Sequence, residues 1–504
     1  MKTEQSLDGL HREQVAGTRI PVWVGGLTLL ALLIKLWLID LNVGEYTDGI
    51  IQLTLWNNPV VFFPPGYSAL CWLVAQGTGD VLHAGRLVSI LASVLTLPVL
   101  YLAAKEVLKS PKEALWAMAF LALSPIFSRW SQRVMTDALF CFFFTTSLYL
   151  TILAWKEPRR SLTWLAGWTG LSVLVRYQGL FFLLPLAWLF FQRKAWRSSS
   201  VSLRTISAWG LALLPWLMLA GWIWFRGFGH QTQFSERASQ GLLNTAIAYG
   251  VMFETYVLYW PWAVTYSLFG LGVLGIVSLR KAGLTSSRFL WLLLLAFVGF
   301  LLVQSAFRSF QYRYLLPLLP LWCICAARGM GWVEETIRHR GLRLVVVMVV
   351  LLNLAGMSAA VLILQKGTFG DLVECAQYLR EIGTGSRVLS DETYREGVYN
   401  PKMEFWSGRA MEPYFLTRPQ AGDLVVLHNA YSDFEKEHKT LSEQFDLVVL
   451  RRWDQVSVPL LPDIMVMSIH PHRLPLTSNP ECMAFRFFPQ SYSTVLLRLK
   501  EKTP

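Results

Sequence analysis

Apolar residues in this chain do not alternate with polar ones over most of its length; they come in long runs. From Ile20 to about residue 365 these runs recur, each near the ~20 residues a helix needs to cross a bilayer. Their cores fall at 20–39, 83–104, 113–127, 136–155, 162–175, 178–192, 205–225, 260–279, 288–306, 313–327 and 343–364. The pattern predicts a polytopic α-helical membrane protein with about eleven transmembrane helices. The run 66–77 is apolar but short, and reads as an interfacial or re-entrant helix in an outer loop spanning 40–82. The first run is long and lacks a small-residue cleavage site, so it reads as a retained span.

After Lys366 the pattern changes. Leu372, Cys375, Ala376 and Leu379 share one face of a helix over 371–381, and short β-type runs follow at 387–390, 423–427, 445–450 and 494–498. Near-continuous apolar strands mixed with helices predict a small α/β domain. The chain thus divides into a transmembrane domain, 1–365, and an α/β domain, 366–504, outside the membrane. No internal repeat is visible.

Composition sharpens this. The 504 residues are 54% hydrophobic and only 15% charged, too little charge to cover a soluble protein of that size. The net charge of +12 would suit a nucleic-acid partner, but its distribution argues against one. Basic residues cluster in alternate loops, as at Lys105, Lys109 and Lys112, at Arg193, Lys194 and Arg197, and at Arg338, Arg340 and Arg343. The positive-inside rule puts those loops in the cytoplasm. An odd number of spans then places the N-terminus inside and the C-terminal domain outside, periplasmic or extracellular, in a multi-pass membrane protein. Cys71, Cys141, Cys323 and Cys325 lie in or beside apolar runs and read as small buried hydrophobes. Cys375 and Cys482 share the outer domain, where an oxidising compartment would permit a disulfide.

The same topology gathers ionisable residues on the outer side: Asp48, Arg86, Arg129, Arg133, Asp137, Arg176, Glu254, Arg308 and Arg313. Each costs about 2.5–3.5 kcal/mol at membrane depth even on the lenient insertion scale, so their convergence suggests a polar cavity. Arginines outnumber acids there, which points to an anionic ligand, and the guanidinium fork suits phosphate. Plainer readings stand beside this one. Arg86 at a span start would also snorkel. Asp137 would also serve as a helix-start acid or pair with Arg133. Asp48 would also be an ordinary loop acid, and His83 a structural histidine.

Several segments together carry a family resemblance. They are Asp48, Pro64-Pro65-Gly66-Tyr67, Ala84-Gly85-Arg86-Leu87-Val88-Ser89, Met135-Thr136-Asp137-Ala138-Leu139, Arg176-Tyr177-Gln178-Gly179 and Tyr312-Arg313-Tyr314-Leu315-Leu316-Pro317. Over roughly residues 20–320 the chain resembles the membrane-embedded glycosyltransferases of the C-type fold, specifically bacterial relatives of protein O-mannosyltransferases and of the lipid A aminoarabinose transferase. Two departures are visible: Gly49 follows Asp48 where many relatives have a second acid, and Gln178 stands where many have an acid or lysine.

The resemblance implies an inverting glycosyltransferase that moves a hexosyl or pentosyl group from a polyprenyl-phosphate donor to an acceptor hydroxyl on the extracytoplasmic side. The acceptor would be a lipid, a glycan or a protein. Asp48 would be the base, with Asp137 orienting it or a sugar hydroxyl. Arg313, Arg176, Arg308 and Arg133 would hold the donor phosphate. Tyr67, Tyr177, Gln178 and Glu254 would contact acceptor or sugar. No cofactor is called for, and the residues give no support for a divalent metal. Two other classes stay open: a transporter or flippase of lipid-linked sugars, against which the lack of a repeat counts, and a non-catalytic scaffold. Whether Asp48 shares a cavity with Arg313 separates them from the enzyme.

Overall fold

The long apolar runs become helices, and turn-forming residues set their ends. In the computed structural model the described residues are 4–56, 63–155, 158–191, 203–226, isolated positions of 246–261, 263–280, 284–305, 312–383, 385–395, 398–399, 401–429, 433–457 and 490–502. The membrane domain runs through α1 (Glu4–Trp37), α2 (Thr47–Leu53), α3 (Gly66–Thr78), α4 (Val81–Leu108), α5 (Pro111–Ala122), α6 (Pro125–Trp130), α7 (Thr136–Ala154), α8 (Pro158–Val175), a 3-10 turn (Tyr177–Phe182) and α9 (Leu183–Phe191). It continues through α10 (Leu203–Arg226), α11 (Tyr266–Leu279), α12 (Leu284–Ser305), a second 3-10 turn (Tyr312–Leu318), α13 (Leu319–Thr336) and α14 (Arg340–Gln365). Asp80 caps α4, its carboxylate accepting the Leu82 N–H at 2.9 Å, and Ser110 caps α5 ahead of Pro111.

Among the described residues, five segments are long and apolar enough to cross a membrane: Ile20–Trp37, Val81–Leu108, Thr136–Ala154, Arg313–Thr336 and Arg340–Ile363. Shorter apolar helices occupy Leu162–Val175, Tyr177–Ala187, Ala212–Phe225, Tyr266–Leu279 and Ser286–Leu302. The expected single span over 113–127 is instead two helices. Helix α5 stops at Ala122, and Pro125, which has no N–H to donate to the preceding turn, opens α6. The expected span from 313 likewise begins as a 3-10 turn containing Pro317.

Burial sorts the long helices. In α4, α7 and the 313–336 segment, 67%, 78% and 89% of the apolar window is buried, against 6% in α1 and 22% in α14. The first three form the interior, and the last two present Trp23, Leu33, Leu344 and Leu352 outward, as lipid-facing helices do. Helices α11 and α13 meet backbone to backbone: a Cβ on Gly275 would lie 1.7 Å from the Cys325 carbonyl oxygen, and one on Gly329 2.0 Å from that of Leu271. At one end of the bundle Arg328 bonds Glu113 at 2.7 Å and Glu335 at 3.0 Å, and Lys112 bonds Glu334 at 2.7 Å. Asp48 belongs to the other end, where α4 begins.

The C-terminal segment holds α15 (Gly370–Ile382), β1 (Val388–Ser390), β2 (Tyr394–Arg395), β3 (Val398–Tyr399), α16 (Lys402–Ser407), β4 (Glu412–Pro413), β5 (Leu424–His428), α17 (Phe434–Ser442), β6 (Phe445–Ser457) and β7 (Gln490–Glu501). Its five-stranded sheet has the order β4-β1-β5-β7-β6. The first three strands are parallel, while β7 is antiparallel to both β5 and β6. Strand β5 reads as an unbroken apolar run because both faces are covered. Leu424 and Val426 join Leu372, Cys375 and Leu379 of α15, while Val425 and Leu427 join Leu441 of α17. Cys375 is buried here. Its suggested partner Cys482 lies outside the described residues.

This domain stands on the loop that leads to Asp48. The Val43 N–H donates to the Lys366 carbonyl at 3.1 Å, and the rings of Tyr46 and Phe369 meet edge to face at 5.4 Å. Helix α16 packs on α2, and its Phe405 and Trp406 join the apolar core of the membrane domain.

Candidate active site

Glu45 anchors the approach to the site. It is fully buried; its Oε1 accepts from Arg86 Nε at 2.9 Å, and its Oε2 accepts the Val134 N–H at 3.2 Å. Arg86 also donates to Asp40 at 2.9 Å and to the Asn42 carbonyl at 2.6 Å. It therefore fastens the loop between α1 and α2 onto α4 and does not snorkel. Arg133, also fully buried, donates to the Gly44 carbonyl at 3.0 Å and lies 3.9 Å from Glu45. Expected among the phosphate ligands, it engages the loop through Nη1. Arg129 donates to the Tyr46 hydroxyl at 2.6 Å and stacks on Trp130 at 4.7 Å.

Helix α2 crosses the 131–135 segment at minimal distance. A Cβ on Gly49 would sit 2.1 Å from the Val134 carbonyl oxygen. The position where many relatives carry a second acid has no room here for any side chain. The crossing holds Asp48, in the first turn of α2, against Arg313, whose Nη2 donates to Asp48 Oδ2. Asp48 is 37% exposed and Arg313 only 5%, so the acid is the open member of the pair. Arg313 is fixed from its other sides by the Met135 sulfur at 3.4 Å and by the rings of Trp130 and Tyr314 at 5.3 and 5.2 Å.

A second pair lies beside the first. Arg176 donates from Nη1 to Asp137 Oδ1 and from Nε to Gln178 Oε1 at 3.3 Å. Asp137 opens α7, and Arg176 precedes the first 3-10 turn in an extended conformation. That turn doubles back so tightly that a Cβ on Gly179 would meet the Ser172 hydroxyl at 2.4 Å. The Arg176 guanidinium lies 5.3 Å from the Tyr314 ring, so Tyr314 stands beside both arginines. The arrangement is two Arg–Asp pairs around one aromatic ring, with an open carboxylate at its edge. Such a site can bind an anion and take up a proton.

The other expected site residues divide. Gln178 belongs to the site through Arg176. Tyr67 is buried; its hydroxyl donates to the Gly85 carbonyl at 2.9 Å and meets Ser89 at 3.0 Å, which pins α3 to α4 and leaves no group to offer a ligand. Tyr177 begins the turn after Arg176, with its hydroxyl oxygen buried. Glu254 is exposed. Arg308 lies outside the described residues, as does most of the 226–258 stretch. Among the described residues no group of three or more His, Cys, Asp or Glu is placed to hold a metal. Sequence reasoning passed over Glu45, Trp130 and Tyr314. The available signal was an aromatic residue directly beside an outer-face arginine, in Arg129-Trp130 and Arg313-Tyr314.

Comparison with known proteins adds the class. Residues 63–224 match the family model described as dolichyl-phosphate-mannose-protein mannosyltransferase; Arg86, Asp137 and Arg176 lie inside that segment, Asp48 and Arg313 outside it. The structure is similar to that of ArnT from Cupriavidus metallidurans in the apo state, with a TM-score of 0.53 and 13% identity over 86% of this chain and 96% of that one. It is similar also to ArnT from Cupriavidus metallidurans bound to undecaprenyl phosphate, with a TM-score of 0.54 and 13% identity over 85% and 96%. No curated protein matches the chain. The chain thus has the fold of the ArnT structures, and its residues 63–224 carry the pattern of the mannosyltransferase family model.

Proposed function

We propose that the chain is an inverting glycosyltransferase that moves a hexosyl or pentosyl group from a polyprenyl-phosphate donor to an acceptor hydroxyl at the extracytoplasmic face of the inner membrane. One observation carries the reading: the half-open Asp48 shares its site with the buried Arg313, next to the Arg176–Asp137 pair. The alternate-loop distribution of Lys and Arg supports the orientation. The ArnT structure of similar fold is described with undecaprenyl phosphate bound, which makes that lipid the donor carrier of choice.

The geometry suggests an exchange of partners. Without donor, Arg313 holds Asp48. A donor phosphate offers Arg313 and Arg176 a second anion, with Arg308 a third candidate for it, and draws Arg313 off the acid. Asp48 then accepts the proton of the acceptor hydroxyl. The acceptor oxygen bonds to the anomeric carbon as the bond from that carbon to the phosphate oxygen breaks. The departing charge falls on the arginine-held polyprenyl phosphate. A single displacement inverts the anomeric centre and needs no covalent intermediate. Asp137 keeps Arg176 aimed at the phosphate. Lipid, glycan and protein acceptors all supply the hydroxyl.

The test is a panel of undecaprenyl-phosphate sugars, incubated with reconstituted protein and membrane extract, with undecaprenyl phosphate release and sugar transfer followed together. Wild type transfers the sugar of one donor, and Asp48→Asn loses about 10²–10⁴-fold in rate. Full activity in Asp48→Asn removes the acid from the mechanism. Movement of intact donor across the bilayer without bond cleavage favours a flippase instead.

A further inference from the structure

Beside α2, on the outer domain, lies a cavity of about 500 Å³ lined by Arg380, Gly383, Phe405, Trp406, Gly408 and Arg409. Its floor is a property of the local fold. Helix α15 ends at Ile382 with Gly383 in the left-handed conformation (φ 54°), and α16 ends in Gly408 in the same way (φ 67°). Neither terminus carries a side chain that would fill the space. Arg409 is set in place from behind, donating to the Leu379 carbonyl at 3.1 Å and the Ser386 carbonyl at 3.4 Å, while Arg380 is exposed. The rings of Phe405 and Trp406 stand edge to face at 5.1 Å.

The lining combines two cations and two aromatic rings, in a volume typical of small-molecule sites. The cations call for an anion. The aromatic rings call for a flat, apolar face, such as the C–H face of a sugar ring. A sugar carrying a phosphate or carboxylate meets both demands; a free anion meets one, and a neutral sugar the other. The same α16 that supplies Phe405 and Trp406 packs on α2, the helix that bears Asp48.

We propose that this cavity takes an anionic saccharide and is the acceptor subsite of the reaction, delivering that sugar's chain past α16 toward Asp48. The acceptor role rests on the transferase reading above; the saccharide site does not. The test uses the full chain in nanodiscs and saturation-transfer NMR with glucose 1-phosphate, glucose and inorganic phosphate as probes, alongside binding of undecaprenyl phosphate. Glucose 1-phosphate binds wild type more tightly than either fragment. Arg380→Gln, at an exposed position, weakens it about tenfold, the loss of one charge-assisted hydrogen bond. Phe405→Ala, which removes one aromatic ring from the lining, weakens it less, and Arg313→Gln leaves it unchanged. Undecaprenyl phosphate binding shows the reverse pattern, weakened by Arg313→Gln and indifferent to Arg380→Gln. Equal binding of glucose 1-phosphate by wild type and Arg380→Gln, its absence at millimolar concentration, or inorganic phosphate binding as tightly overturns the site. Wild type that binds glucose 1-phosphate but no undecaprenyl phosphate overturns the transferase reading, and with it the acceptor role alone.

Discussion

Glu45 and Asp48 are separated only by Tyr46 and Thr47, and each binds an arginine at the same end of the bundle, yet they occupy opposite environments. Glu45 is 0% exposed and engages Arg86, the Val134 N–H and the edge of Arg133. Asp48 is 37% exposed and meets one arginine from one side. The first acid has its lone pairs committed and no route for a substrate. The second keeps one oxygen for other work. The comparison teaches that charge at membrane depth does not by itself mark chemistry. An ion pair closed on all sides fastens the chain; a pair with one open member can exchange its partner for a ligand.

Substituting each acid by its amide should break the comparison most sharply. Asp48→Asn should lower transfer by about 10²–10⁴-fold while thermal unfolding stays close to wild type, because the change is at an open position that still offers Arg313 an oxygen. Glu45→Gln should do the converse. It strands Arg86 and Arg133 in a closed environment, a loss of about 3–5 kcal/mol for breaking a buried pair. The variant should melt early, and the fraction that stays folded should turn over at a rate much nearer wild type. A Glu45→Gln protein that is stable and dead would move catalysis to Glu45. The next effect is smaller. Arg176→Gln removes one cation from the expected phosphate position and should cost about 10²-fold in kcat, as loss of a charge-stabilising donor does. If donor KM rises with kcat unchanged, Arg176 acts only in the binding of the donor.

Gly49→Ala probes the crossing that holds both acids. The added methyl group meets the Val134 carbonyl oxygen at 2.1 Å, so α2 must shift. Overpacking of this kind costs about 1–3 kcal/mol. Because α2 carries Asp48, its displacement should also depress transfer in the folded protein, which separates it from Glu45→Gln. A variant with wild-type melting and rate would mean that the close approach is not maintained in the membrane.

Much of this was legible in the chain, for reasons that particular residues make plain. The helices of the interior announced themselves because α4, α7 and α13 are apolar over the length a bilayer sets. The strands of the outer domain did so because both faces of β5 are covered, leaving Leu424 to Leu427 apolar throughout. Asp48 and Arg313, far apart in sequence, could be grouped by topology alone, since the span count expects both on one side of the membrane. What stayed hidden was which charges neutralise one another. Arg86, Arg133 and Arg313 look alike as outer-face arginines. The approach of α2 to Val134, set by a glycine, gives two of them to Glu45 and its loop and leaves the third to Asp48. The break at Pro125 was hidden for the opposite reason: hydropathy is continuous across it, and only the missing N–H of the proline divides the run.

The outer domain holds a closed cluster of its own, and pH should distinguish it from the open pair. Asp371, at the start of α15, accepts from the Thr494 hydroxyl at 2.8 Å and lies 3.1 Å from His428 Nε2, with both Asp371 and His428 buried. Burial alone would raise the Asp371 pKa, but the hydrogen bond and charge of His428, the Thr494 hydroxyl and the Leu372 N–H together hold it below the usual carboxylate value. A carboxylate whose pKa is lower folded than unfolded stabilises the fold above its unfolded pKa, near 4 by the ordinary ~3.9 for Asp. That contribution is lost as pH falls through the folded value. The α15 backbone should therefore lose protection from hydrogen exchange as the medium is acidified below about pH 4, more steeply in wild type than in Asp371→Asn at each matched pH. The effect should be the smallest of those argued here, because it concerns one carboxylate in a domain that five strands and two helices also hold together. Parallel acid sensitivity in the two proteins would show that the Asp371–His428 contact contributes nothing as an ion pair, and that this closed cluster, unlike the one expected around Glu45, does not fasten by charge.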